Sequence, residues 1–175
     1  YDTDENGFLT LPDEITYGDY ELTEVIPPNG YVLNTTPVSF SIDGNTPEVV
    51  IRLSDKPEKG KISVLKRGEM FSSVEVSEDR YVPVYSEKGL KGAEFEVSAA
   101  EDIYTADGTL RIKAGETADR IISGEDGTAV SKELYPGKYL LREISAPEGY
   151  IINAEPREIT VVSGVTSAEI YNERK

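Results

Sequence analysis

No cysteine and no histidine occur anywhere in the chain. Disulfides, thiol catalysis, Cys/His zinc sites and every histidine-based triad are therefore excluded, and the usable chemistry is carboxylate, amine, amide and hydroxyl. Basic residues are scarce too: 18 stand against 33 acidic ones, for a net charge of −15. That balance disfavours phosphate backbones and anionic membranes as partners. No run is apolar enough for a signal peptide or a membrane span, so any targeting or anchoring segment of an exported parent would lie outside these residues. A cysteine-free chain suits the cytosol, and equally a secreted protein that stabilises itself without disulfides.

What is present is strand-forming sequence. The 175 residues are 38% hydrophobic and 9% aromatic, enough for a core. Val, Ile, Tyr and Thr recur in short alternating runs such as "KISVLK", "AEFEV", "KYLLRE" and "REITVV", separated by turn signals such as "ENG", "ADG", "YPG" and "PEG". No stretch carries a helical period, and "SAAEDIY" offers a turn of helix at most. The chain reads as all-β, of sandwich type.

An internal repeat organises it. Glu24 and Glu143, Pro28 and Pro147, Gly30 and Gly149, Tyr31 and Tyr150, and Asn34 and Asn153 are all offset by 119 residues. A period of that length means tandem domains. The spacing predicts a complete sandwich over 58–175, after the linker-like "DKPEKG", with an insertion around 68–90. Residues 1–57 match only the C-terminal half of that domain, so the first copy is expected to be N-terminally incomplete, with its opening strand about fifty residues upstream by the same offset.

Alternation raises a question of burial. If Tyr139 and Leu141 point into a core, Glu143 follows them, although Leu140 and Ile144 leave that frame ambiguous. The first copy supports the frame, since Glu21 and Thr23 fall outside between Tyr20, Leu22 and Glu24. The same rule aligns Ile62, Val64 and Lys66 on the first strand of the complete copy, and Ala168, Ile170 and Asn172 on its last. In the plainest reading Lys66 snorkels at a strand end, Glu143 pairs with it, and Asn172 caps a turn.

The stretches "GKISVLK", "LKGAEFEV", "GEDGTAVSKELYPGKYLLREISAPEGYIIN" and "AEIYNERK" together resemble the Cna B-type (SpaA-like, prealbumin-like) domains of Gram-positive surface proteins and pilins. The E-x-x-x-P-x-G-Y block, present twice, is the most specific element. The resemblance implies tandem Ig-like or prealbumin-like β-sandwiches in an extracellular, cell-wall or cell-surface protein. It also implies a spontaneous isopeptide bond between a first-strand lysine and a last-strand asparagine, assisted by a buried acid. Carried over, the lysine is Lys66, the asparagine Asn172 and the acid Glu143. In the first copy the remnants are Glu24 and Asp55, without a lysine. Burial pushes an amine toward the neutral form that attacks carbonyls, and a protonated Glu143 would donate to the Asn172 carbonyl and then shuttle protons to departing ammonia.

The expected role is a stalk or spacer that contacts neighbouring domains of its own surface protein, needs no cofactor or metal, and catalyses nothing beyond one reaction on itself. The alternative is an adhesin module in which the 68–90 insertion binds a host protein or glycan. No sorting signal or pilin polymerisation motif is visible. "DTDENGFLTLPD" places Asp2, Asp4, Asn6, Gly7 and Asp13 near calcium-loop spacing, but no helix flanks it and a hairpin turn fits better. "NTT" at Asn34 is a glycosylation sequon.

Overall fold

The computed structural model describes residues 1–11, 14–46 and 48–175, in two compact units, Tyr1–Lys56 and Pro57–Lys175. The second unit is a two-sheet β-sandwich. One sheet is antiparallel, in the order β10 (Thr117–Ile122), β7 (Glu94–Ala99), β12 (Gly137–Ser145), β13 (Arg157–Val161). The other runs β11 (Thr128–Val130), β5 (Gly60–Ser77), β14 (Gly164–Asn172), with β6 (Arg80–Gly89) paired to the distal part of β5. A small ribbon of β8 (Ile103–Tyr104) and β9 (Leu110–Ile112) lies outside both sheets.

Strict alternation builds the core. Ile62 and Val64 of β5, Phe95 and Val97 of β7, Tyr139 and Leu141 of β12, Ile159 and Val161 of β13, and Ile170 of β14 are buried together. Their neighbours Lys138, Arg142 and Glu158 face solvent, as expected for sheets with one wet face. The first and last strands of the unit, β5 and β14, run parallel, with Lys66 opposite Ile170 and Gly68 opposite Asn172.

The stretch expected as an insertion is a continuation of the first strand. β5 runs on past the sandwich to Ser77, turns at Glu78 and Asp79, both at positive φ (48° and 59°), and returns as β6. Positive φ at both central residues gives the turn the twist that a two-residue hairpin needs. The ribbon pairs Phe71 with Tyr85, Val74 with Pro83 and Val76 with Tyr81, which puts all six on one face.

The first unit contains β1 (Gly18–Leu22), paired antiparallel with β3 (Val38–Ile42) so that Tyr20 faces Phe40 and Leu22 faces Val38. The Tyr20 and Phe40 rings stack at 5.5 Å. β2 (Tyr31–Val32) follows the first P-x-G-Y block, and β4 (Lys56–Pro57) straddles the boundary of the units.

Candidate self-crosslinking site

Three strands bring three polar groups into the core of the second unit. Lys66 is 0% exposed, Glu143 1% and Asn172 1%. Each ends an apolar series on its own strand, so burial of the whole stripe carries the polar terminus in with it. Lys66 and Asn172 are diagonal neighbours across the parallel ladder, a spacing that a lysine stem spans easily.

The contacts close a triangle. Lys66 Nζ lies 3.2 Å from Glu143 Oε1 and donates to Asn172 Oδ1. Asn172 Nδ2 donates to the same Glu143 Oε1 at 2.9 Å. The ring of Phe95 lies beneath the amine, its centroid 5.9 Å from Nζ. Burial pulls the Lys66 pKa below the ordinary lysine value, and the Glu143 charge and hydrogen bond oppose that pull without cancelling it. A reactive neutral amine therefore becomes available at lower pH than for a surface lysine.

One detail differs from the sequence-based picture. Glu143 touches the amide nitrogen of Asn172, and the carbonyl oxygen faces Lys66. A carboxylate accepts from NH₂, and the ammonium donates to the carbonyl, so each partner meets its complement. The acid is thereby placed at the leaving group, where a proton is needed for ammonia to depart.

The E-x-x-x-P-x-G-Y block explains how Glu143 is aimed, a function that strand reasoning alone assigned only to turn formation. Tyr150 N–H donates to Pro147 O at 3.1 Å, closing a turn that holds Gly149 at φ 86°, where a side chain would be strained. The chain is thus returned so that Asn153 N–H donates to Glu143 Oε2 at 2.8 Å. Both carboxylate oxygens are fixed, one by backbone and one by the reacting pair. Tyr150 also donates from its hydroxyl to Glu69 O at 2.7 Å. A Cβ on Gly68 would come within 2.9 Å of Asn172 O, 2.8 Å of the Tyr150 ring and 2.7 Å of Leu90, so β5 is glycine there because the site is closed over it. The signal available in the sequence was the recurrence of Asn34 and Asn153 ten residues after each glutamate.

The first unit repeats this device. Tyr31 N–H donates to Pro28 O at 3.1 Å, Gly30 sits at φ 84°, and Asn34 N–H donates to Glu24 Oε2 at 2.8 Å. The Asp55 pKa is raised, by burial first and then by the nearby Glu24 carboxylate. The Asn34 side chain is half-buried and donates to Ser54 O at 3.5 Å, which occupies the sequon residue in the fold. At the calcium-like stretch, Asp4 Oδ1 accepts from Asn6 N–H and Phe8 N–H at 2.9 and 2.8 Å, a self-contained turn. Asp13 lies outside the described residues. Among the described residues no group of three or more carboxylates converges on a metal-sized site.

A family model for SpaA, a prealbumin-like fold domain, matches residues 1–57 and 83–174. The chain belongs to the SpaA prealbumin-like family. Glu24, Asp55, Glu143 and Asn172 fall inside the residues matched to SpaA, whereas Lys66 and the outgoing arm of the ribbon fall between them. Among solved structures, the chain is similar in fold to the TIE protein of Bacillus anthracis at 21% identity and a TM-score of 0.61, over 98% of this chain and 28% of that one. A minor pilin of Streptococcus agalactiae matches at 22% identity over 99% of this chain and 66% of that one, with a TM-score of 0.43. The major pilin SpaD of Corynebacterium diphtheriae matches at 19% identity over 66% of this chain and 30% of that one, also at 0.43. The chain spans less than a third of the length of the TIE protein and of SpaD. No curated protein sequence matches the chain.

Proposed function

We propose that this chain is a structural module of a Gram-positive surface protein or pilus, and that its second unit locks itself by an amide bond between Lys66 and Asn172. The observation that carries this reading is the buried contact of amine, carboxamide and carboxylate. A lone buried lysine costs several kcal/mol, so a fold that keeps one in contact with an electrophile has a use for it. Nζ passes a proton to Glu143 Oε1 across 3.2 Å, attacks Cγ of Asn172, and forms the new C–N bond. Glu143 returns protons to Nδ2, the C–Nδ2 bond breaks, and ammonia leaves. Preorganised pairs of this kind reach effective molarities of roughly 10⁵ M or more, which brings a slow amide exchange within reach once per molecule.

The bond would join the parallel strands near the C-terminal end of the stretch over which they pair, Gly60–Gly68 with Gly164–Asn172. Tension entering at β5 and leaving after β14 shears the two strands against each other, and the amide carries that load before the ladder does. This suits a stalk or spacer whose partners are the neighbouring domains of its own protein, on the outside of the cell.

Intact mass tests the bond. The expected value is the sequence mass less one ammonia, with the Lys66→Ala variant at its full sequence mass. A wild-type chain at its full sequence mass would overturn the proposal.

A second reading, of a ligand-binding adhesin module, draws support from the ribbon, whose apolar face leaves Val76 69% and Tyr81 81% exposed. Deleting residues 72–84 should abolish saturable binding to a host protein or glycan if the ribbon is the contact, and should leave the intact-mass deficit unchanged.

A further inference from the structure

The ribbon of β5 and β6 has protected edges and an unprotected face. Pro83 stands in the middle of β6, opposite Val74, and a proline in a ladder turns its missing N–H to the free edge. On the other strand the register slips between Phe71 and Ser73, a bulge that puts one extra residue, Ser72, into β5. Proline and bulge are devices that keep a sheet edge from pairing with a further strand.

The face carries no such device. Phe71, Val74, Val76, Tyr81, Pro83 and Tyr85 lie together on it, all exposed and none charged. At about 200 Å² for a fully exposed aromatic residue, the open parts of its three rings come to roughly 350 Å². The valines and the proline bring the face to about 500–600 Å², the top of the range that a monomer ordinarily leaves open as one patch. Two such faces in contact would bury roughly 1,100 Å², enough to clear the roughly 1,000 Å² expected of a specific contact.

Charges at the two ends of the face set its direction. Glu78 and Asp79 form the tip, and Arg80 pairs with Ser77 on the opposite face. At the base, exposed Arg174 stacks on the Tyr85 ring, 4.3 Å from its centroid. Among the described residues Glu78, Asp79 and Arg174 take part in no ion pair. Glu69 and Glu87 share the level of the base, where Arg67 lies 3.8 Å from Glu87. A two-fold axis running along the ribbon would set acidic tip on acidic tip. An axis across the strands, level with Val74 and Pro83, lays Val76 and Tyr81 of one copy over Phe71 and Tyr85 of the other. Each tip then meets the Arg174 side of its partner. The face is self-complementary in this arrangement, as a two-fold contact requires.

We propose that two copies of this chain associate weakly through their ribbons, packed face to face and antiparallel. This gives the apolar face to a second copy, where the adhesin reading gives it to a host ligand. It does not depend on the Lys66–Asn172 bond, whose residues lie inside the sandwich.

Sedimentation equilibrium of the full chain tests it, at about 0.15 M salt, where the net −15 of each copy is screened beyond about 8 Å. The weight-average mass should rise from monomer toward dimer between about 10 μM and about 1 mM, as a contact at the small end of the scale implies. Val76→Lys and Tyr81→Lys each put a charge into the face and should hold the chain monomeric over that range. Glu78→Lys and Arg174→Glu should each weaken the dimer about threefold, and the double variant, with opposite charges again across the contact, should recover wild-type association. Far-ultraviolet circular dichroism should be the same for all of them. A wild-type chain still at the monomer mass at the highest concentration would overturn the inference. So would association that survives both face substitutions, which would place the contact on another surface, such as exposed Phe8 and Ile26 of the first unit. A double variant that associates no better than the single ones would overturn the antiparallel arrangement.

Discussion

At the scale of single residues, the proposed crosslink would give Glu143 two separable tasks: to compensate the buried amine and to move protons. Removing it in Glu143→Ala leaves Lys66 buried without its countercharge, a loss on the order of 3–5 kcal/mol. The variant should still give the far-ultraviolet circular dichroism of a β-sandwich while its intact mass stays at the full sequence value. pH bears on the same amine. In an Asn172→Ala chain, which has no electrophile, the folded-state pKa of Lys66 lies below its unfolded value because of burial. Between those two values the unfolded chain binds more protons, so stability rises with pH across that interval and is lowest beneath it. Urea midpoints measured from neutral into alkaline buffer should therefore climb, and replacing Lys66 with Met should flatten that climb. A midpoint that falls over this range would contradict the buried-amine assignment.

At the scale of elements, the turn after β12 and the glycine in β5 decide whether the reacting groups meet. Gly68→Ala places a methyl against Asn172 O, Leu90 and Tyr150. The main effect should be slower crosslinking, seen as a mixture of bonded and unbonded masses after expression, with smaller loss of fold. Much of this level was legible beforehand. Period-two patterning identified the strands, and the repeat chose between two faces of "KYLLRE", where the alternation by itself was ambiguous. The parallel pairing of β5 with β14 was not legible, because sequence periodicity carries no information on strand direction. Nor was the ribbon: its residues alternate weakly, and only the ladder to β6 shows that Phe71, Val74 and Val76 share a face with Tyr85, Pro83 and Tyr81. The aim of Glu143 was missed for a different reason. Its second oxygen is held by a backbone N–H, and the one available signal, an asparagine ten residues after each glutamate, does not reveal that the backbone is the donor. The orientation of the Asn172 amide was likewise beyond any pattern, since it depends on which neighbour donates and which accepts.

At the scale of the whole molecule, a link from Lys66 to Asn172 closes a loop of 106 residues. Loop-closure entropy alone assigns such a link about 4–5 kcal/mol. In a domain of this size that corresponds to roughly 15–20 °C in melting temperature. Lys66→Met, which cannot form the bond but keeps an apolar stem, should melt lower by about that amount in a calorimetric scan. A difference of only a few degrees would mean that the site is a buried ion pair and nothing more. The parallel placement of β5 and β14 has one more consequence. With the amide in place, residues 67–171 form a side loop on a chain whose ends are joined without them. A protease that cuts after exposed Arg80, at the tip of the ribbon, would then leave both fragments attached, and the nicked protein should run as one species on a denaturing gel, while the same cut in Lys66→Ala should release two. The backbone at that tip would then be expendable to the integrity of the chain.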